Sequence, residues 1–219
     1  MKKEKADIGL AFDGDADRCF LVDEKGDLVN PSALTALIAV RELKSQPGST
    51  IIYNLISSKA VAEVITENKG VGLRSRVGHS YIKSLMAESG AIFGGEHSGH
   101  FYFADFWRAD SGMLAALYAL AELMDSNKPL SNLLKPYNRY FSSGEINSKV
   151  KDVAKSIKAV EEKYQGKYQL DHLDGLTVTA DSWWFNLRPS NTEPLLRLNV
   201  EANTEKEMAI ITDAVLALL

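Results

Sequence analysis

The sequence predicts an α/β chain in which a three-layer βαβ domain is followed by a smaller α+β domain. Between residues 50 and 127, short apolar runs alternate with segments of helical period, which is typical of strands buried under helices. Turn formers then interrupt this pattern over 126–138, and the runs that follow are mostly β-rich. We therefore expect a first segment at 1–27, the βαβ domain at 28–134 and the α+β domain at 135–219.

Apolar runs and capping residues predict the elements of the first 134 residues. The apolar run 8–12 predicts a buried strand, and 20–30 predicts a strand, a turn and a second strand. Asn30 followed by Pro31 predicts the start of a helix that ends near Gln46. The remaining elements are a strand at 50–54, a helix from Ser57 or Ser58 to about Lys69, a strand at 71–76, a helix through Ser89, a strand–loop–strand unit at 91–103, and an apolar helix that Asp110 caps and that ends near Asn127.

The last part of the chain predicts an antiparallel sheet with two helices. Asp174 and Gly175 lie between two β-rich runs and indicate a hairpin. Thr204 with Glu207 forms the pattern of a capping box and predicts the start of the last helix. The other expected elements are a strand at 139–147, a helix at 152–164, a strand at 182–188 and a half-buried strand at 195–202.

The composition excludes several classes of protein. A formal net charge of −4 over 219 residues argues against a nucleic-acid surface, which needs clustered lysines and arginines. No apolar run is long enough to span a bilayer, and the charged start lacks the apolar stretch of a secretory signal, so we expect a cytoplasmic protein. The lone cysteine, Cys19, excludes an internal disulfide.

Three alternating carboxylates follow the first apolar run, at Asp13, Asp15 and Asp17, and Arg18 comes next. Three anions held close together repel one another unless a cation neutralises them, and hard oxygen ligands suit Mg²⁺. A solvated acidic turn is the simplest alternative. An EF-hand loop has a similar spacing, but Arg18 occupies the position that requires glycine. A phosphatase of the haloacid-dehalogenase type, whose Asp-x-Asp follows a hydrophobic strand, remains open on this stretch alone.

Two further loops of the βαβ domain carry candidate binding residues. Gly78 allows the backbone to approach a ligand, and His79 lies at a helix start, where free N–H groups favour anions. The glycine-rich loop 94–100 holds Glu96, Ser98 and His100 between two apolar strands. We expect that the fold itself does not need so many polar groups there, and that they bind the hydroxyls of a sugar or polyol.

A fourth loop follows the tryptophan-rich strand of the α+β domain. Arg188 supplies a planar guanidinium suited to a phosphate, and three hydroxyl or amide donors follow it, Ser190, Asn191 and Thr192. A turn of this composition also occurs for structural reasons alone. The loops downstream of the aspartates suit sugar hydroxyls and a second phosphate, which weakens the phosphatase alternative.

Four motifs in this order, "DGDADR", "VGHS", "GEHSGH" and "RPSNTEP", resemble the α-D-phosphohexomutase superfamily, specifically bacterial phosphomannomutase/phosphoglucomutase. Members of that family have four domains, and the resemblance assigns 1–27 to the end of the metal-binding second domain, 28–134 to the sugar-binding third and 135–219 to the phosphate-binding fourth. The family's phosphorylated serine lies in a Thr-x-Ser-His-Asn-Pro loop, which does not occur in this sequence. The resemblance therefore implies a carboxyl-terminal portion that is inactive without the missing amino-terminal half.

The resemblance also implies roles for individual residues. The whole enzyme would interconvert hexose 1-phosphate and hexose 6-phosphate, with mannose or glucose as the sugar, through a phosphoserine and a hexose 1,6-bisphosphate. The implied roles are Mg²⁺ binding by Asp13, Asp15 and Asp17, catalysis by Arg18 and His79, substrate binding by Gly78, Glu96, Ser98, His100 and Lys59, and phosphate binding by Arg188, Ser190, Asn191 and Thr192. Lys59 is displaced from the family's lysine position, and His97 stands where the glucosamine branch usually has Gln. A non-catalytic sugar-phosphate binding module is a further alternative.

Overall fold

Two five-stranded sheets organise the chain, one in the unit Met1–Arg139 and the other in the unit Tyr140–Leu219. The structure is a computed structural model and describes residues 1–190, 193 and 195–219. The first sheet contains parallel strands covered by helices and the second is antiparallel, so the predicted fold class is confirmed. Within the described residues, no helix is long and apolar enough to cross a bilayer.

The first unit contains a small hairpin and a mixed sheet. Its elements are β1 Ile8–Phe12, β2 Cys19–Asp23, α1 Pro31–Ser45, β3 Thr50–Asn54, α2 Lys59–Glu67, β4 Val71–Ser75, α3 His79–Ser89, β5 Phe93–Gly95, β6 Phe101–Phe103, β7 Ala109–Asp110, α4 Gly112–Ser126 and α5 Leu130–Leu134. The sheet order is β4-β3-β5-β6-β7, with β3 parallel to both β4 and β5. The carboxyl ends of β3, β4 and β5 therefore meet at one edge, so the loops that follow them are neighbours.

Local sequence explains where the helices of this unit begin. The Asn30 side chain accepts a hydrogen bond from the Ser32 amide, and Pro31 occupies the first helical position of α1. Ser58 caps α2 in the same way. The expected cap at Asp110 was wrong: Asp110 lies in β7, and Ser111 caps α4 by accepting from the Leu114 amide.

The expected burial of the first strand was also wrong. β1 pairs with β2 alone in a two-stranded antiparallel sheet, and Leu10 and Phe12 are 39% and 36% exposed. β2 contributes the buried Cys19 and Leu21 to the main core, whereas β1 contributes only the partly buried Ile8. The predicted strand after β2 is reduced to a single bridge between Val22 and Leu28.

The second unit is an antiparallel sheet with two helices packed against its core. Its elements are β8 Phe141–Lys149, α6 Val153–Tyr164, β9 Gln169–Asp171, β10 Leu176–Thr179, β11 Trp183–Pro189, β12 Leu195–Ala202 and α7 Glu205–Leu216, in the sheet order β8-β12-β11-β10-β9. β12 is almost entirely buried rather than half-buried, because β8 and β11 flank it. The predicted hairpin at Asp174 and Gly175 joins β9 and β10.

The compact first unit extends to Arg139, and the domain limit at 134 stays a prediction. The Arg139 guanidinium contacts Glu63 at 3.0 Å and Glu67 at 2.6 Å, both on α2. These ion pairs attach the connecting segment to the first unit. A separate domain at 1–27 stays a prediction.

Candidate functional site

The three aspartates lie in the loop between β1 and β2. One carboxylate oxygen from each of Asp13, Asp15 and Asp17 falls within 4.8 Å of the others. The Asp13 carboxylate accepts hydrogen bonds from the Arg18 backbone amide at 3.2 Å and from Arg18 Nε at 2.7 Å. Ala16 adopts a left-handed backbone conformation at φ 59°, which allows the loop to turn between the carboxylates. The predicted convergence of the three carboxylates is therefore present.

The carboxylates of this loop differ in their charge environment. Partial desolvation would raise the pKa of Asp13, but the hydrogen bonds and charge of Arg18 outweigh it and hold that pKa at about 2. Desolvation, together with the charges of Asp13 and Asp15, raises the pKa of Asp17 against the opposing effect of His100. One neighbour therefore stabilises the Asp13 anion, whereas the Asp17 anion lacks full compensation.

The donor set fits a small divalent cation with oxygen ligands. Asp17 Oδ1 is shielded from solvent and has no hydrogen-bond partner among the residues that the structure describes. A buried carboxylate oxygen without a donor costs free energy, and a cation removes that cost. The three carboxylates supply hard oxygen ligands and leave room for water, as Mg²⁺ prefers.

Glu96, the central residue of the glycine-rich loop, is only 1% exposed. Its carboxylate accepts from the Tyr102 hydroxyl at 2.6 Å, from Asn54 Nδ2 at 3.2 Å and from the Gly78 backbone amide at 3.1 Å. The expectation that the fold does not need the polar groups of this loop was therefore wrong for Glu96. In the structure Glu96 holds three segments of the protein together, and sugar binding by it stays a prediction.

Ser98 and His100, in the glycine-rich loop, lie beside the aspartate loop. Ser98 Oγ is 2.9 Å from His100 Nδ1, and His100 Nε2 is 3.6 Å from Asp17 Oδ2. Arg18 and His100 form a β-bridge, and the Cys19 amide donates to the Gly99 carbonyl at 3.1 Å. The structure thus brings the predicted metal ligands and two predicted sugar ligands into one neighbourhood.

Gly78 and His79 form the start of α3. Gly78 has φ +129°, a conformation that side chains disfavour, and it precedes the first helical residue, His79, which is exposed. Arg76, which we did not select from the sequence, lies in the same loop and stacks over the Tyr81 ring at 4.7 Å. A helix start beside an arginine is a favourable position for an anion.

Lys59 begins α2 and is exposed. The preceding Ser58 amide donates to Ser32 Oγ at 3.0 Å, and Ser32 Oγ is 3.1 Å from His97 Nδ1. The start of α2 therefore adjoins the glycine-rich loop through Ser32. A direct role of Lys59 in substrate binding stays a prediction.

In the second unit, Arg188 is buried and paired rather than presented to a ligand. Its guanidinium contacts Glu145 Oε2 at 2.5 Å and Asn199 Oδ1 at 2.9 Å. Burial lowers the pKa of Arg188, although Glu145 opposes the shift. Phosphate binding by Arg188 stays a prediction. Asn191 and Thr192 lie outside the described residues.

Arg197 is a candidate that the sequence analysis missed. Arg197 Nη2 donates to Ser190 Oγ at 3.3 Å, and Arg197 Nη1 lies 3.5 Å from Glu145 Oε1. Its buried Nε has no hydrogen-bond partner within the described part of the chain. Arg197 lies in the alternating run of β12. A charged residue among leucines was the feature of the sequence that could have identified it as a candidate.

Two family descriptions match the chain in order. "Phosphoglucomutase/phosphomannomutase, alpha/beta/alpha domain III" matches residues 30–140, and "Phosphoglucomutase/phosphomannomutase, C-terminal domain" matches residues 145–218. The first match alone covers half of the chain. The two matches follow one another as the two units of the structure do.

Individual proteins and solved structures are similar over most of the chain. A phosphomannomutase from Methanocaldococcus jannaschii is 46% identical over 95% of this chain and 46% of that protein. The crystal structure of a phosphoglucomutase/phosphomannomutase family protein from Burkholderia thailandensis has a TM-score of 0.87 at 32% identity, and the match covers 100% of this chain and 47% of that one. N-acetylphosphoglucosamine mutase from Aspergillus fumigatus, solved with GlcNAc-6P and magnesium, has a TM-score of 0.72 at 15% identity over 95% of this chain and 48% of that one, which shows the shared fold alone. The chain spans about half the length of these relatives.

Proposed function

The chain belongs to the phosphoglucomutase/phosphomannomutase family, and on this premise we propose that it is the carboxyl-terminal part of a phosphohexomutase. The complete enzyme interconverts the 1-phosphate and 6-phosphate of mannose or glucose through a phosphoserine and a hexose 1,6-bisphosphate. The observation that carries the proposal is the match to two consecutive domains of the family, preceded by three converging aspartates. The phosphoserine belongs to the amino-terminal half, so this chain is inactive alone. We retain the cytoplasmic location expected from the sequence.

In this proposal the aspartate loop holds Mg²⁺ through Asp13, Asp15 and Asp17. When bound, the ion neutralises charge on a transferring phosphoryl group, which is the main requirement of that chemistry. Arg18 keeps Asp13 ionised and places a positive charge beside the same group. The solvent-shielded oxygen of Asp17, which has no protein donor among the described residues, supports a cation at this position.

The sugar phosphate binds to the neighbouring loops of the same unit. Ser98 and His100 are only partly buried and offer a hydroxyl and an imidazole to sugar hydroxyls. His79 and the free N–H groups at the start of α3 receive a phosphate or the reacting end of the sugar. Gly78 and Lys59 complete the proposed substrate contacts, and Glu96 organises the loops that carry them.

The second unit supplies donors for the phosphate that is not transferred. Ser190 and Arg197 are the described donors nearest to the predicted turn, and Asn191 and Thr192 complete it in our proposal. Arg188 is buried, and its ion pair with Glu145 fixes the carboxylate that also contacts Arg197. Arg188 then acts through Arg197 rather than by direct contact.

The phosphatase alternative requires a free aspartate nucleophile at Asp13. In the structure Arg18 occupies both oxygens of that carboxylate, which opposes nucleophilic attack. The comparisons also offer no support for a dehalogenase-type phosphatase or for a binding module without catalysis. We therefore do not pursue either as a second candidate.

A chimeric enzyme tests the proposal. The part of the Methanocaldococcus jannaschii phosphomannomutase that precedes its matched region would be joined to this chain, and conversion of mannose 1-phosphate to mannose 6-phosphate measured. We expect activity in the chimera and none in this chain alone. Asp15→Asn should reduce the chimera's rate by about a hundredfold or more, because it removes a metal ligand.

The matched control is Asp7→Asn, an exposed carboxylate just before β1, which should leave the rate unchanged. A folded chimera that binds the sugar phosphate without converting it would contradict the proposal. Release of inorganic phosphate as the only product would instead favour a phosphatase.

A further inference from the structure

Two fully buried polar side chains, Tyr102 and Asn54, hold the Glu96 carboxylate in place. We propose that they are positioning residues which, through Glu96, lock the segment 77–80 to the segment 94–100, so that the two loops form one binding unit. Neither residue was selected from the sequence. The inference rests on the proposed function only in assuming that these loops contact the sugar phosphate.

Tyr102 orients one oxygen of the carboxylate. The residue is 0% exposed on β6, and its hydroxyl donates to Glu96 Oε1 at 2.6 Å. Its ring packs in an apolar cluster with Ile52, Ile82 and Met86. A buried tyrosine needs a partner for its hydroxyl, and this packing leaves the ring no freedom to seek another one. Tyr102 therefore fixes Glu96 from one side.

Asn54 orients the other oxygen. It ends β3, is 0% exposed and donates from Nδ2 to Glu96 Oε2 at 3.2 Å. Its Oδ1 accepts from the Ser57 hydroxyl at 2.9 Å, which determines which end of the amide faces the carboxylate. The amide is thus held by a donor on one side and an acceptor on the other.

The position of the His79 loop depends on this arrangement. Glu96 Oε2 also accepts from the Gly78 amide at 3.1 Å. Gly78 can adopt many backbone conformations, so this hydrogen bond selects one of them. His79 and the free N–H groups at the start of α3 come directly after Gly78 in the chain. Displacement of Glu96 would therefore release the start of α3. Tyr102 also stacks against the ring of His100, with 6.4 Å between the ring centroids, and Tyr102→Phe keeps that ring in place.

Burying a carboxylate in the core costs free energy, because its charge leaves water and must be satisfied by protein donors. An apolar side chain would stabilise the same packing without that requirement. The arrangement is therefore better explained by the backbone amide that it holds than by packing alone.

The test is Tyr102→Phe in this chain, with hydrogen exchange measured at individual amides by NMR. Tyr118→Phe is the matched control, because the Tyr118 hydroxyl donates to Glu42 in the same unit. We expect Tyr102→Phe to accelerate exchange of the Gly78 amide by about tenfold, the loss of roughly one hydrogen bond, because that amide donates to Glu96. The control should leave this amide unchanged even if it lowers the melting temperature equally. Unchanged exchange at Gly78, or equal acceleration by both variants, would overturn the proposal.

Asn54→Asp provides a second variant of nearly unchanged shape, and it decides the question if Tyr102→Phe does not fold. It replaces the donor to Glu96 by a like charge, so we expect the same local acceleration. Calorimetry with glucose 1-phosphate separates the two proposals. If the unmodified chain binds it, both variants should weaken binding by about fivefold or more at a temperature where they are fully folded. If it does not bind, the exchange data alone still decide the coupling, and only the proposed function is weakened.

Discussion

The aspartate loop and the glycine-rich loop lie side by side, yet their carboxylates differ in burial and in the number of protein hydrogen-bond donors. In the glycine-rich loop, Glu96 is almost completely buried and has three protein donors. In the aspartate loop the carboxylates are partly or fully exposed, and Asp17 retains a shielded oxygen with no donor among the described residues. The Glu96 carboxylate is satisfied by protein donors, whereas the aspartate loop keeps one shielded oxygen without a donor among the described residues, where we propose a cation.

This difference shows that carboxylates in neighbouring loops can serve structure or ligand binding according to their donors. Residue type alone does not separate the two roles. The number of protein donors per oxygen does, because a fully satisfied carboxylate has little left to offer a ligand. The first two predictions below make the same kind of substitution in each loop, and the third compares the aspartate loop with a carboxylate outside it.

The largest expected effect is on stability, from replacing a carboxylate by its amide in each loop. Glu96→Gln should lower the free energy of unfolding by about 2–4 kcal/mol, because the new amide N–H₂ faces buried donors that lose their acceptor. Asp15→Asn should change it by less than about 0.5 kcal/mol, since that carboxylate is exposed. Urea titrations followed by circular dichroism would measure both. Equal losses in the two variants would break the comparison.

Adding one methyl group to each loop is a second test of the contrast between the two loops. A Cβ on Gly95 would lie 2.4 Å from the Thr35 side chain, whereas a Cβ on Gly14 would meet nothing within 4 Å. Gly95→Ala should therefore cost about 1–3 kcal/mol by overpacking, and Gly14→Ala almost nothing. Thermal unfolding would measure both changes. Thr35→Ala in the Gly95→Ala background should recover part of the loss, and no recovery would contradict the packing explanation.

The smallest expected effect concerns the affinity for Mg²⁺. Asp17→Asn should weaken Mg²⁺ binding at least about tenfold, because it removes one anionic ligand. Asp7→Asn, outside the loop, is the control and should leave the affinity unchanged. Calorimetric titration with MgCl₂ would measure the constants. An unaltered affinity in Asp17→Asn would show that the ion binds elsewhere.

Most of the fold was accessible from the sequence, because alternating apolar runs and capping residues are local signals. Asn30, Ser58 and Thr204 cap helices as predicted. The burial of β1 could not be predicted, since it depends on what pairs with the strand, and only β2 does so here. An apolar run alone does not show which strands pair with it or what covers it.

The candidate site was predicted only in part, for a related reason. The convergence of the aspartates follows from spacing along one loop, which sequence shows directly. The hydrogen-bond partners of Glu96 and Arg188 come from distant positions such as Asn54 and Glu145, so the burial of these two side chains depends on tertiary structure. The sequence therefore could not show that Glu96 and Arg188 are also held by partners within the fold.

The most direct test of the contrast between the loops is amide hydrogen exchange of this chain with and without Mg²⁺. Saturating Mg²⁺ should slow exchange at residues 13–18 and leave residues 94–97 unchanged, because among the described residues only the first loop has a shielded carboxylate oxygen without a hydrogen-bond donor. Unchanged exchange at 13–18 with slowed exchange at 94–97 would contradict the account.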